Sequence, residues 1–463
     1  MFCHRCLKAE SPIGLPQRVS VYSGWFRNLP KWYLWHMSDL PEKLREKMAA
    51  RAREGNLRTL SAPPYGVDFY SNDYLGLSGE PLAVPKAPEA PGSHPTGHPG
   101  EAVASSTESG AHFAGHAPGQ IRGDAPSGPD AESPAHGSGG SRLVSGNHPL
   151  YAELENTLCR AHRADAALVY TSGYDANIGL LSAVPQRTDY VFYDESVHAS
   201  IRDGLGLCRA RAYSFAHNSL ESLSRRVATV LPDGIPSGSE AYVVTETVFS
   251  MEGDGPDLAG ITAYCRANGF RLILDEAHAV GVFGKRGEGA VAAAGLEDLV
   301  FARVVTFGKA IGRHGAAVLC DSELREYLVN FSRSLIYTTA LPPKTLESLL
   351  EAYALMSGET GNRRRDGLWE NIAFFRQQAE ALGLDKGFYT AGGPIQTYRV
   401  GDSRKAGRLA GRLVEKGFLV KAIRYPTVPR GSECLRFCLH SYNSKDDILS
   451  VLSILSEELK MET

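Results

Sequence analysis

Residues 270–278 read FRLILDEAH, a short apolar run that ends in two acids, an alanine and a histidine. Its length and aliphatic content are typical of a buried strand. The carboxylate of Asp275, at the end of such a strand, costs several kcal/mol to bury unless it is paired. A protonated heteroaromatic nitrogen would be a suitable partner, and His278 could reach the same ligand from its other side. The stretch therefore indicates a ligand site at this strand end.

Four similar runs lie elsewhere in the chain. They are ALVYT (167–171), YVFYD (190–194), AYVVTETV (241–248) and ARVVTF (302–307). Helix-like segments such as PLYAELENTLCRAHRA and LESLSRRVATVL lie between them. Alternating strands and helices predict a mostly parallel sheet covered on both faces. Because ligands of such sheets bind beyond the carboxyl ends of the strands, the residues after each strand are the candidate site residues.

A lone lysine follows the run at 302–307. Gly308 and Ala310 flank Lys309, and Gly312 and Gly315 follow. Small neighbours allow another molecule to approach the backbone closely. A lysine in this setting could be a covalent amine, as in Schiff-base chemistry. On this stretch alone, a surface loop lysine is the alternative.

The remaining strand ends add two further groups. Thr171-Ser172-Gly173-Tyr174 opens a helix with small residues, which could present N–H groups to an anion or form a plain turn. His198 is expected two residues inside the next helix, where its ring could stack on a planar ligand or simply pack.

Together, these strand ends provide the groups that pyridoxal 5′-phosphate (PLP) requires. A lysine binds it covalently, and a carboxylate keeps the pyridine nitrogen protonated so that the ring accepts electrons. A turn with free N–H groups holds the phosphate. We therefore interpret Lys309 as a Schiff-base lysine.

Composition narrows the class of protein. The 463 residues carry a net charge of −3, which argues against a nucleic-acid or membrane-surface protein. Eight scattered cysteines form no disulfide-like framework, so a reducing cytoplasm is expected. Cys3 and Cys6 form one CxxC pair without a second pair, and no metal site is predicted. No run of about 18 apolar residues predicts a membrane span.

Seven motifs resemble those of the α-oxoamine synthases. They are SNDYLGL (71–77), GSGGSRLVSGNHPLYAELE (137–155), TSGYDAN (171–177), DESVHASIRDG (194–204), TETVFSMEGD (245–254), DEAHAVGVFG (275–284) and TFGKAIGRHGAAV (306–318). Members of that family are PLP-dependent transferases of fold type I, the aspartate aminotransferase-like fold, that join an amino acid to an acyl thioester and release carbon dioxide. The resemblance implies a mostly parallel sheet in a large domain, a smaller C-terminal α+β domain, and a homodimer with its sites at the interface.

Within the family, TFGKAIGRHGAAVLC (306–320) and AIRYPTVPRGSECLRF (422–437) favour the biotin-pathway branch. That branch uses L-alanine and a pimeloyl thioester carried by CoA or acyl carrier protein. Glycine C-acetyltransferase, 5-aminolevulinate synthase and serine palmitoyltransferase share the core motifs, so another amino acid or acyl chain is one alternative. A non-catalytic scaffold subunit is the other, and an intact set of site residues argues against it.

The resemblance also implies roles for individual residues. Catalytic roles are implied for Lys309, His198 and Asp275. Contacts with PLP are implied for Gly173, Tyr174, His198, Ser250, Asp275, His278, Thr306 and Lys309, and Thr339 is expected to reach the phosphate of the neighbouring subunit. Substrate contacts are implied for Arg436 with the amino-acid carboxylate, for Thr427, and for Arg58 with the acyl chain.

The same resemblance divides the chain. The expected parts are an extension at 1–36, a helix and arm at 37–78, an insertion at 79–136, a large PLP-binding domain at 137–345 and a small domain at 346–463. Residues 1–36 are either a flexible extension or a stretch upstream of a start at Met37, and Asp39 could cap the first helix. The insertion is rich in Pro, Gly, Ala, Ser and His, so it is expected to be disordered rather than a metal-binding tract.

Overall fold

The computed structural model of the protein describes residues 41–54, 65–79 and 136–461. The chain forms two compact units, Met1–Ala62 and Pro63–Thr463. The predicted extension at 1–36, Arg58 and nearly all of the predicted insertion at 79–136 lie outside the described residues.

Strands and helices alternate along much of the described chain. The strands are β1 (Val67–Asp68), β2 (Ala166–Tyr170), β3 (Tyr190–Asp194), β4 (Arg211–Phe215), β5 (Ala241–Glu246), β6 (Arg271–Asp275), β7 (Ala302–Thr306), β8 (Ala316–Cys320), β9 (Ile395–Arg399), β10 (Phe418–Leu419), β11 (Lys421–Ile423) and β12 (Cys434–Cys438). The helices are α1 (Glu42–Arg53), α2 (Leu150–His162), α3 (Gly173–Ala183), α4 (Ala199–Leu207), α5 (Leu220–Val230), α6 (Leu258–Asn268), α7 (Ala290–Ala293), α8 (Ser322–Phe331), α9 (Arg333–Ile336), α10 (Pro343–Ser357), α11 (Glu359–Ala381), α12 (Ser403–Glu415) and α13 (Lys445–Met461). None of these helices is both long and apolar enough to cross a membrane.

Within the first unit, helix α1 is the described element, and it buries none of its side chains. The helix has Pro41 at its N-cap position. Proline suits a helix start because its ring fixes φ and the first N–H groups of a helix lack intrahelical partners anyway. Asp39, which was predicted to cap the first helix, lies outside the described residues.

The second unit is built on a seven-stranded sheet with the order β2-β8-β7-β6-β5-β3-β4. Strand β8 runs antiparallel to both of its neighbours, and all other pairs in this sheet are parallel. This arrangement confirms the predicted α/β class and brings the carboxyl ends of β2, β5, β6 and β7 to the same edge.

Most strands of this sheet, including the edge strand β2, are apolar on both faces because helices cover both sides of the sheet. Along β2, Leu168 and Tyr170 pack into one buried cluster with residues of α3, α4 and α8. Their neighbours Ala167 and Val169 point to the opposite face and join a cluster with residues of α2, α10 and α11. Burial on both faces explains why these strands appear in the sequence as continuous apolar runs.

Two strands of this sheet were not predicted. Strand β4 (RAYSF) lies at the edge of the sheet, where only Phe215 is buried, so it lacks the apolar run of a central strand. Strand β8 (AAVLC) is fully buried, but its two alanines give a weak strand signal.

The C-terminal part of the chain forms a small antiparallel sheet with the order β11-β12-β9. The segment 65–79 is tied to this region: β1 pairs in parallel with β10, and the Cys438 N–H donates to the Phe69 carbonyl at 2.9 Å. We call residues 65–79 the arm. The predicted boundary between domains at 345 and 346 stays a prediction.

A buried ion-pair network supports the base of the large sheet. Glu155 of α2 is 6% exposed, and its carboxylate accepts hydrogen bonds from Arg142 at 2.7 Å and Arg325 at 2.8 Å. The Val169 N–H of β2 donates to the same carboxylate at 3.0 Å. The network thus fastens α2 and α8 to strand β2.

Replacing Glu155 with alanine should lower the free energy of unfolding by about 3–5 kcal/mol, because two guanidinium groups would lose their buried partner. Thermal and urea denaturation would measure this loss. Glu153→Ala on the exposed side of the same helix is the matched control and should change stability by less than about 0.5 kcal/mol. Equal losses in the two variants would contradict the assigned role of the network.

Candidate active site

The carboxyl ends of four strands surround a cavity of about 290 Å³. Its lining includes seven of the predicted site residues: Gly173, Tyr174, His198, Asp275, His278, Thr306 and Lys309. It also includes residues that were not predicted as site residues, namely Asn72, Ser172, Asn177, Ser200, Glu246, Ala277, Gly308, His314 and Gly315. The strand-end residues in the sequence therefore indicate the position of the cavity but only part of its wall.

Asp275 ends β6 and is 6% exposed. Its Oδ2 atom accepts a hydrogen bond from the Asn177 side-chain amide at 2.8 Å, and Oδ1 accepts one from the Ala277 N–H at 2.8 Å. These donors stabilise a buried carboxylate and fix its orientation at the cavity wall. The chain can therefore hold a charged carboxylate toward a cationic ring nitrogen.

His198 does not lie two residues inside a helix, as predicted, but is the N-cap of α4. Its Nδ1 atom accepts a hydrogen bond from the Ser200 N–H at 3.2 Å, so the proton of the neutral ring is on Nε2. Burial lowers the pKa of His198 and favours this neutral form. A neutral ring anchored at one edge and open to the cavity is suited to stacking on a flat ligand.

Asn177 and Ser200 connect the two groups just described. The Asn177 amide donates to Asp275 and also to the Ser200 Oγ atom at 3.0 Å, and that hydroxyl lies 2.8 Å from His198 Nδ1. Asn177 is 3% exposed and Ser200 is fully buried. Both occur in motifs that were recognised, so their position in TSGYDAN and DESVHAS was the available signal.

His278 lines the cavity with its ring, and its Nδ1 atom lies 2.7 Å from the Tyr74 hydroxyl of the arm. Burial holds the pKa of His278 well below its usual value, and the positive charges of Lys309 and Arg436 lower it further. The ring is therefore neutral at physiological pH and can offer one donor or one acceptor on Nε2.

The amine of Lys309 is the reactive nucleophile that the cavity offers. Burial lowers its pKa to about 8, although the nearby charges of Asp275 and Glu246 act in the opposite direction. At pH 7 about one tenth of the amine is therefore unprotonated, far more than for an ordinary lysine, and the unprotonated form is the one that carbonyl addition and proton abstraction require.

Glu246 is a cavity residue that sequence analysis missed. It ends β5 directly beside Asp275 in the sheet register, and its Oε1 atom accepts the His198 N–H at 2.6 Å. Burial raises the pKa of Glu246 well above its usual value, and the charge of Asp275 adds to this effect. The raised pKa favours the neutral form of Glu246 beside Asp275, which avoids two adjacent buried anions. Its position at the end of an apolar run, like that of Asp275, was the signal.

Gly173 at the start of α3 contacts Thr306 at the end of β7, and this contact forms a place that is suited to binding a phosphate group. A Cβ atom on Gly173 would lie 2.4 Å from the Thr306 side chain, so only glycine permits this contact. The Thr306 hydroxyl is buried and has no hydrogen-bond partner among the described residues. An unpaired buried hydroxyl beside a helix N-terminus is suited to an anionic oxygen. With Asp275, His198 and Lys309 around the same cavity, the residues fit PLP.

Of the predicted site residues that the structure describes, four lie outside this cavity wall, and three of these are on loops. Thr339 is exposed and pairs with Ser141 in an isolated bridge, and Thr427 is exposed in the turn before β12. Ser250 contributes its backbone carbonyl, which accepts a hydrogen bond from Arg436 at 2.7 Å.

Arg436 of β12, the fourth of these residues, is 7% exposed and donates to the Asn72 side chain at 3.0 Å in addition to Ser250. It forms no ion pair with the acids of the described segments, and nearby Glu433 instead accepts from Ser403 and from Gly431. The cavity residue Asn72 thus links a buried, unneutralised cation to the site.

A second polar cluster lies near the site. His217, Glu252 and Asp254 present possible metal ligands within 4.8 Å of one another. However, His217 Nδ1 lies 3.0 Å from Asp194 and Nε2 lies 3.1 Å from Asp254. Although burial alone would lower the pKa of His217, these carboxylates raise it to about 10. A ring protonated on both nitrogens has no lone pair for a metal, so the cluster acts as a clamp between the end of β3 and the loop 249–254.

Known proteins that are similar to this chain in sequence and structure support a PLP site in this cavity. The aminotransferase class I and II family matches residues 119–452. A solved serine palmitoyltransferase from S. paucimobilis, with bound PLP–myriocin aldimine, is 29% identical and superimposes with a TM-score of 0.66 over 70% of this chain and 80% of that chain. The chain belongs to this family of PLP-dependent fold-type I enzymes and, within it, to the α-oxoamine synthases; it is a PLP-dependent acyltransferase.

Several curated proteins of similar sequence are 8-amino-7-oxononanoate synthases. The 8-amino-7-oxononanoate synthase of Emericella nidulans is 36% identical over 446 residues, which cover 92% of this chain and 98% of the relative. That of Klebsiella pneumoniae is 39% identical over 319 residues, or 69% and 80% of the two chains. A solved 8-amino-7-oxononanoate synthase from Francisella tularensis is 28% identical with a TM-score of 0.63 and covers 86% of this chain and 98% of its own.

Replacing His217 with glutamine should lower the melting temperature in a pH-dependent way. The folded-state pKa of His217 is raised from 6.5 to about 10, so its stabilising effect is complete below pH 6.5 and disappears as the pH rises through about 10. The difference from the unmodified protein should follow that course in calorimetric scans across this range. His148→Gln, at an exposed histidine, should show no such trend. A pH-independent difference for His217→Gln would contradict the clamp.

Proposed function

We propose that the protein condenses L-alanine with a pimeloyl thioester to give 8-amino-7-oxononanoate, carbon dioxide and the free thiol, in biotin biosynthesis. The curated relatives carry this activity in their names. Among the features of the site, the unneutralised Arg436 supports the proposal most strongly, because a buried guanidinium beside the cavity requires an anion such as an amino-acid carboxylate.

PLP would be held by residues on every side of the cavity. Lys309 would bind it covalently, Asp275 would hold the proton on the pyridine nitrogen, and His278 would face the ring hydroxyl. The N–H groups at the start of α3 and the Thr306 hydroxyl would receive the phosphate. When bound, PLP supplies an electron sink for the bonds at the amino-acid α-carbon.

The chain itself moves the proton that starts the reaction. With a pKa of about 8, Lys309 can take the α-proton of L-alanine and later return a proton to the product. Asn177 and Ala277 each donate to one oxygen of Asp275, and these hydrogen bonds stabilise its carboxylate form. His198 and His278, both neutral, add no positive charge that would compete with the cationic ring for Asp275.

The acyl donor would approach from a second cavity of about 610 Å³ that shares Gly308, Lys309 and His314 with the first. Arg313 and Lys344 line this cavity, and their charges suit an anionic carrier. Arg313 also donates to the Leu77 carbonyl of the arm at 2.7 Å, which holds the arm against this opening.

A homodimer is part of the proposal. Thr339 is exposed on this chain and would face the phosphate of a neighbouring subunit. The Tyr174 side chain, 45% exposed at the cavity edge, would lie near the same boundary.

The proposed reaction predicts that the rate of thiol release is highest with one particular pair of amino acid and acyl thioester. Purified holoenzyme should release thiol fastest with L-alanine and pimeloyl-CoA, and more slowly with glycine and acetyl-CoA or with serine and palmitoyl-CoA. Thiol release measured across this panel would test it. Lys309→Ala should abolish release in every case, and borohydride reduction of the unmodified enzyme should place a pyridoxyl label on Lys309.

Two outcomes would contradict the proposal. Preference for serine and palmitoyl-CoA would make the protein a different α-oxoamine synthase. A protein that binds PLP but releases no thiol with any pair would be a non-catalytic subunit.

Replacing Arg436 with alanine should weaken L-alanine binding far more than acyl-thioester binding. The loss of a charge-assisted pair in a partly dry site costs roughly 2–4 kcal/mol, or about 30- to 1000-fold in affinity. Titration of L-alanine against cofactor absorbance would measure it. Arg399→Ala on the neighbouring strand β9, an exposed position, is the control and should leave the affinity unchanged. Unchanged affinity with a lowered melting temperature in Arg436→Ala would assign Arg436 a structural role.

A further inference from the structure

Tyr74 of the arm is fully buried, and its hydroxyl lies between two groups of the site. It is 2.7 Å from His278 Nδ1 and 3.1 Å from the Asn72 Oδ1 atom. Tyr74 does not line the cavity, so no substrate or cofactor contact accounts for a hydroxyl in this position. The hydroxyl must act through its neighbours.

The single proton of this hydroxyl can serve only one of its two acceptors. Asn72 Oδ1 already has two donors, Arg436 Nη2 at 3.0 Å and the Cys438 thiol at 3.8 Å, whereas His278 Nδ1 has no other partner among the residues of the described segments. The contact with Nδ1 is also the shorter one. Burial raises the pKa of Tyr74, so the phenol keeps its proton, and the neutral His278 ring can accept it on Nδ1.

We propose that Tyr74 is a positioning residue that donates its proton to His278 Nδ1 and thereby holds His278 in the tautomer with the proton on Nε2. That N–H then points into the cofactor cavity as a fixed donor. Arg436 donates to Asn72, whose Oδ1 atom lies 3.1 Å from the same hydroxyl, so the group for the amino-acid carboxylate lies close to this contact.

This arrangement has a consequence for the bound cofactor. An N–H donor stabilises negative charge on the ring oxygen of the cofactor and so lowers the pKa of the cofactor. Without the donor, the cofactor would bind its proton more tightly and its pKa would be higher. Loss of the Tyr74 hydroxyl allows His278 to adopt the other tautomer, which places a lone pair where the donor was. The pH at which the absorbance of the bound cofactor changes should therefore rise.

The test is a pH titration of cofactor absorbance in the holoenzyme carrying Tyr74→Phe. The midpoint should rise by about one pH unit, as expected for the loss of one hydrogen bond to a charged group. Tyr353→Phe is the matched control. Tyr353 is also buried, and its hydroxyl lies 3.0 Å from Nε2 of a buried histidine, His162. Neither residue lines the cavity. Tyr353→Phe should leave the midpoint unchanged.

A double variant separates positioning from general disturbance. In a His278→Phe background, Tyr74→Phe should produce no further shift, because its effect passes through His278. A midpoint that does not move in the single variant would overturn the proposal. So would a shift of the same size in the His278→Phe background.

A measurement on the unsubstituted holoenzyme applies even if Tyr74→Phe fails to fold. Histidine side-chain ¹⁵N spectra, with the His278 signals assigned by their loss in His278→Phe, should show Nδ1 unprotonated and Nε2 protonated. A protonated Nδ1 would overturn the proposal. The inference rests on the proposed PLP site but not on the acyl donor, so the thiol-release panel can fail while these spectra still support it.

Discussion

The burial of one carboxylate at a strand end is the constraint on which the rest of the site depends. Asp275 must remain charged in a place where Glu246 stands beside it on the next strand. The chain meets this constraint by giving Asp275 two N–H donors and by burying Glu246, which raises the pKa of Glu246 and favours its neutral form. The result is one negative charge, with a fixed direction, facing the cavity.

The same hydrogen bonds order the other wall of the cavity. Because the Asn177 amide has two N–H groups, it can orient Asp275 and Ser200 at once, and Ser200 in turn fixes the tautomer of His198. A substitution that removed only Asn177 would therefore disturb the carboxylate and the stacking ring together. Such shared supports make catalytic groups depend on residues that need not touch the substrate.

The arm contributes to the site from a distant part of the sequence. Residues 65–79 pair with strands near the C-terminus and place Asn72 and Tyr74 between Arg436 and His278. A Cβ atom on Gly312 would lie 2.3 Å from the Ser78 N atom, so the lysine loop and the arm meet only because this position is glycine. The group that would bind the substrate carboxylate and the group that would face the cofactor hydroxyl thus each contact a residue of the arm.

The sequence by itself determined the α/β class and the strand ends that carry Asp275 and Lys309, because parallel strands deliver their carboxyl ends to one edge whatever the details of packing. It left undetermined the antiparallel direction of β8, the position of His198 as a helix cap, and the contact between Tyr74 and His278, which are 204 residues apart. These features depend on side-chain packing and on hydrogen bonds between segments far apart in the chain. Local periodicity carries no information about such contacts, and only the tertiary structure decides them.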